Sequence, residues 1–156
     1  MKNNFNHNQP SIFSSNGRFG RLSYLAWSGL TFLILIASLG LFKFFLMSEV
    51  IEVTKTLSLV LMCIFLIICL LIMYLNIIFM IKRLHDFDQT GWLFLLNFVP
   101  IINFLFTICL LVMPGSEKRN QYGAVRETPV WEKIFAFVGM AGIVAVFVFF
   151  PELFKV

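Results

Sequence analysis

Apolar residues fall into four long runs separated by short polar stretches. Within each run the spacing is helical, never the strict alternation of a membrane strand. Tyr24 to Met47 is long enough to cross a bilayer, which takes about 20 residues. Its one charge, Lys43, lies near the far end, within snorkelling reach of the headgroups. Leu57 to Ile81 is cleaner still, relieved only by Ser58, two cysteines, Tyr74 and Asn76. Trp92 to Met113 has the length but carries Pro100 near its middle, flanked by Asn97 and Asn103. Proline removes a backbone donor and clashes with the preceding turn, so this segment is expected to be broken or kinked. Ile134 to Phe150 is shorter, and Gly139, Ala141, Gly142 and Ala145 give it a small-residue face suited to close helix packing. The expected fold is therefore an all-α integral membrane bundle of four apolar segments, the third broken or kinked at Pro100 and open to a re-entrant path.

Composition agrees with this pattern. The 156 residues are 60% hydrophobic and 13% charged, against about 25% charged in an average soluble domain. A soluble chain of this size has too little interior for so much apolar surface. A formal charge of +4 suits membrane topology and anionic lipid better than nucleic acid, which is not expected as a partner. Cys63, Cys69 and Cys109 sit inside apolar runs, and His7 and His85 are far apart, so neither a metal nor another cofactor is expected.

The stretch before the first run is polar, with Asn3, Asn4, Asn6, Asn8, Pro10, Ser14, Ser15 and Asn16, and bears Lys2, Arg18 and Arg21 without an acid. It reads as a cytoplasmic tail over residues 1–16 rather than a secretory signal. With every segment spanning, the basic residues divide six inside to five outside, which decides nothing. With the third segment folded back as a hairpin at Pro100, they divide nine to two, with only Lys55 and Lys155 outside. The positive-inside rule favours the hairpin. A turn at membrane depth must be buried, however, and Asn97 and Asn103 are the candidates to cap it.

Three polar motifs lie between the runs. They are Gly17-Arg18-x-x-Arg21, then Arg83-Leu84-His85-Asp86 with Gly91-Trp92, then Pro114-Gly115 with Asn120-x-Tyr122-Gly123. In this order they resemble the bacterial YhaH-like inner-membrane family, domain of unknown function 805. The resemblance covers about 17–123, leaving 124–156 as a linker and an extra membrane helix. It implies a small multi-pass protein of the bacterial inner membrane with a cytoplasmic N-terminus, and no particular activity.

Read by their own chemistry, Arg18 and Arg21 would face one side of a helix beginning by Gly17. Arg83 follows Asn76 by seven residues, putting both on one helix face, expected to point into protein. Asp86 is expected to accept from Arg18, Arg21 or Arg83, since an unpaired carboxylate at a partly buried edge is costly. His85, Asn120 and Tyr122 complete this candidate polar cluster, a clasp or a site for lipid headgroups. A catalytic His85–Asp86 pair is disfavoured, because neighbours in sequence rarely point at each other and no nucleophile accompanies them. Asn76, Asn97 and Asn103 read as interhelical hydrogen-bonding groups within the membrane. The leading functional expectation is a non-enzymatic membrane accessory or scaffold protein, binding anionic lipid headgroups, a protein partner or a second copy of itself in envelope maintenance. A small transporter or channel component is the alternative, and a lipid-headgroup enzyme a third.

Overall fold

The computed structural model describes residues 11–47 and 54–149, less the side chains of 143, 146 and 147. The tail up to Pro10, with Lys2 and His7, lies outside the described residues, as do Phe150 and Lys155. Five helices follow in order: α1 (Arg21–Met47), α2 (Lys55–Asp86), a 3-10 helix η1 (Gly91–Phe98), α3 (Pro100–Val112) and α4 (Val130–Phe149). There is no named strand among the described residues, only an isolated bridge between Asn120 and Gly123. Two helices, α1 and α2, are long and apolar enough to cross a membrane, and only 6% of the apolar window of each is buried. A core helix of a soluble protein would be largely covered. Here Leu59, Met62, Leu66, Leu70 and Met73 stand outward along α2, as lipid-facing side chains do.

The second helix continues past the apolar run and takes in Lys82 to Asp86, so Arg83 lies on it as the spacing from Asn76 implies. Basic groups at its last turn suit the negative end of the helix dipole. It closes in a Schellman turn: Gln89 N donates to Leu84 O (3.0 Å), Asp88 N to His85 O (3.1 Å), and Asp88 takes a left-handed φ of 61°.

Two compact units are formed. The first comprises Met1–Tyr24 and Ile78–Thr128, the second Leu25–Ile77 and Pro129–Val156. In the second unit, α4 buries Glu132, Ala136 and Gly139, spaced to share one helix face. Gly139 approaches the Gly29 backbone and Gly142 meets Leu33, so the small-residue face packs on α1. Ala141, grouped with that face by sequence, is exposed instead. On α2, Asn76 Nδ2 donates to Thr31 Oγ1 (3.1 Å) and to Ile72 O (2.9 Å), so the amide faces α1.

In the first unit the segment from Trp92 to Met113 is two pieces. The chain is extended at Val99 (φ −96°, ψ 111°), and Pro100 opens α3 at its first position, where the missing N–H is no loss. The flanking asparagines do not cap this break: Val99 caps α3 with no side-chain hydrogen bond, and Asn103 Oδ1 instead accepts from Thr107 Oγ1 (3.2 Å). Asn97 lies half-buried on η1. Backbone bonds make the turn, Val99 N to Leu96 O (3.2 Å) and Asn103 N to Val99 O (2.7 Å). Both ends of the segment meet the last turns of α2. A Cβ at Gly91 would lie 3.0 Å from Ile81, and Arg83 holds Leu110 O and Met113 O.

Candidate functional site: a buried arginine–aspartate clasp

The end of α2 gathers nearly all the polar motif residues. Asp86 Oδ1 accepts from Arg18 Nε (3.0 Å) and Nη2 (2.8 Å), while Oδ2 accepts from Arg83 Nη1 (2.6 Å). Both guanidinium side chains are fully buried in these ion pairs. Two cations against one carboxylate leave an excess positive charge, and backbone carbonyls solvate it. Arg18 donates to Ser116 O, Lys118 O and Gly123 O. Arg83 donates to Phe19 O, Leu110 O and Met113 O. The last two lie at the C-terminal end of α3, so Arg83 faces the negative ends of two helix dipoles. No buried side-chain nitrogen or oxygen lacks a partner among the described residues.

Local structure explains why these residues reach the site. Gly17 has a φ of 88°, a left-handed conformation that breaks any helix there, so α1 begins only at Arg21. Residues 18–20 instead run beside α2, with Phe19 N donating to Lys82 O (3.0 Å). This corrects the expectation that Arg18 and Arg21 share a helical face. Arg18 is buried on Asp86, whereas Arg21 is exposed and reaches only Val112 O, at 3.4 Å. Gly115 is set by close approach: a Cβ there would overlap the Asp86 carboxylate. Ser116 then folds under α2, its N and Oγ both donating to Asp86 O (2.8 Å each).

The Asn-x-Tyr-Gly motif closes the arrangement. Asn120 Nδ2 donates to His85 O (2.7 Å) and Ser116 Oγ (3.1 Å), and its Oδ1 accepts from Tyr122 N (3.0 Å). The Tyr122 ring stacks on His85 with centroids 3.7 Å apart, while His85 Nδ1 faces Gly17 O at 3.3 Å. His85 and Asp86 are thus committed to different partners, one to a ring stack and the other to two guanidiniums. No group of three or more His, Cys, Asp or Glu placed to hold a metal occurs among the described residues.

Several contributors escaped sequence reasoning. Lys82 and Arg126 lie over the Phe19 ring at 4.7 and 5.0 Å. Lys82 Nζ also donates to Ser11 O (2.6 Å), and Arg126 Nη1 to Ser23 Oγ (2.9 Å). In the second unit, Glu132 is buried and accepts from Trp27 Nε1 (3.0 Å). An acid at the head of an apolar helix is the available signal, but the apolar run itself begins after it, at Ile134.

Fold and site together define an all-helical protein with two helices of membrane-crossing length and a buried ionic clasp at the end of the second. The chain belongs to the family described as "Protein of unknown function (DUF805)", whose model matches residues 12–124. The match takes in every residue of the clasp and stops before α4. No curated protein and no solved structure matches the chain.

Proposed function

We propose that this is a non-enzymatic, multi-pass accessory protein of the bacterial inner membrane, with a cytoplasmic N-terminus, in which the clasp is a structural lock. The observation that carries this reading is that every nitrogen of both buried guanidiniums donates to Asp86 or to one of six carbonyls. Arginines built to take a substrate would keep donors facing an opening. The lock holds the segment from Gly91 to Met113 as a re-entrant hairpin, with α1, α2 and α4 crossing the bilayer. Three observations support the hairpin: its two ends meet one end of α2, α3 is too short to span, and the charge bias favours it. At 13 residues α3 is about 20 Å long against a hydrocarbon core of about 30 Å. Headgroups, a protein partner or a second copy would then engage the exposed rim of the lock in support of the envelope.

A cysteine at the exposed Glu127, in a background lacking the three native cysteines, tests the topology. Shielding from an impermeant thiol reagent in intact cells is expected. Rapid labelling would overturn the hairpin in favour of a kinked full span. Ser116 is unsuitable for this purpose, because its hydroxyl belongs to the clasp. A transporter or channel component is the second reading, favoured by the polar groups Trp27, Thr31, Asn76 and Glu132 within the apolar helices. Solute flux in proteoliposomes that vanishes in Glu132→Gln would establish it.

A further inference from the structure

We infer that the hairpin and the cations at its base form one binding surface for anionic phospholipid of the leaflet it enters, an inference that rests on the re-entrant reading above. The hairpin is apolar around most of its circumference. On α3, Ile101 is 82% exposed, and Phe104, Leu105, Ile108 and Val112 follow it on one outward face. On η1, Trp92, Leu95 and Phe98 stand outward three residues apart, which is one face of a 3-10 helix. The polar Asn103 and Thr107 hydrogen bond to each other rather than facing that surface. Such an element sits among acyl chains, and at about 20 Å it is too short to cross the core, so its base stays at the leaflet it enters.

Charge identifies which lipid. Arg18 and Arg83 are spent on Asp86, but Arg21, Lys118 and Arg119 are exposed. Arg21 touches Val112 O at the base of α3, and the Lys118 carbonyl is held by Arg18. Glu117 and Asp88 are the exposed acids beside them, so three cations against two carboxylates leave positive charge in excess around the base. A lipid lying along α3 would place its chains on Ile101, Phe104 and Ile108 and its phosphate within the reach of these cations. Zwitterionic lipid meets the same apolar face without the net attraction.

The test uses the full chain with Cys63, Cys69 and Cys109 changed to alanine and Ile101→Cys added, reconstituted in vesicles of phosphatidylcholine with phosphatidylglycerol. A fluorophore at position 101 reports quenching by brominated phosphatidylglycerol or, separately, brominated phosphatidylcholine at equal mole fraction. A spin label at the same position reports depth, from collisions with oxygen and with a water-soluble nickel chelate. Expected are a deep label and a preference for the anionic lipid of at least about fivefold, the effect of a single surface cation. That preference should fall to parity in Arg21→Gln/Lys118→Gln/Arg119→Gln. A deep label with equal quenching, or a preference the triple variant retains, overturns the inference and leaves the hairpin standing. A label open to the nickel chelate, or Glu127→Cys reacting from the side opposite the N-terminus, overturns the hairpin and the inference together.

Discussion

Asp86 is the residue on which the first unit depends most, because two buried guanidiniums share its carboxylate. Removing one partner of a buried ion pair costs about 3–5 kcal/mol, far more than the pair contributes relative to an apolar replacement. Asp86→Ala is therefore expected to destabilise the protein by roughly that amount, measured by thermal unfolding in detergent. Arg21→Ala, which removes an exposed side chain with one long hydrogen bond, should change stability by less than about 0.5 kcal/mol. Equal losses in the two variants would refute the division of labour between these arginines. Gly115→Ala offers an independent check, since the added Cβ would occupy the carboxylate's own position. The backbone must move or Asp86 must turn away, and either loosens the clasp. A loss approaching that of Asp86→Ala is expected, and an unchanged melting temperature would show that the 114–116 turn shifts freely.

Among the elements, the end of α2 is the best-defined stop, and it carries a removable strain. Asp88 holds the left-handed position of the Schellman turn, where glycine is the common occupant. Asp88→Gly should raise stability by up to about 1 kcal/mol, seen as a higher melting temperature in detergent. A lower one would mean that the aspartate side chain stabilises the turn. At this scale the sequence was informative where hydrophobic runs are long, and it placed α1 and the body of α2 well. It also marked Asp86 as a carboxylate in need of arginine, because uncompensated charge near a membrane edge has few remedies. It failed where short-range backbone conformation decides. The left-handed Gly17 delays α1 and separates Arg18 from Arg21, and no spacing rule contains that turn. Asn97 and Asn103 looked like caps for Pro100, but a proline at the first helical position leaves the turn to close on backbone groups. Glu132 is invisible to the hydrophobic pattern, because the apolar run begins only after it.

For the whole molecule, the testable quantity is topology. The most apolar windows of α1 and α2 are exposed in the way lipid-facing helices are, and the proposed topology puts the clasp on the cytoplasmic side. Asn76→Leu should cost only about 0.6 kcal/mol, the typical worth of an interhelical hydrogen bond in a membrane, because Thr31 Oγ1 also lies at 2.9 Å from Ser28 O. A loss several times larger would point to work for that amide beyond packing.

The clasp also has a bearing on how the chain is made. Its parts come from three places, Arg18 with the Phe19 carbonyl, Arg83 with Asp86, and the five carbonyls of Leu110, Met113, Ser116, Lys118 and Gly123. During synthesis the first two elements emerge with their charges unsolvated by the third. The nascent chain at that stage holds two guanidiniums on one carboxylate, and they must remain at the water-exposed membrane edge. Only when residues through Gly123 leave the ribosome can the arginines be buried and the segment from Gly91 to Met113 be fixed against α2. Closure of the clasp thus marks the point at which the fold of the matched region becomes complete, and a chain truncated before Leu110 should be degraded rather than persist as a smaller stable protein.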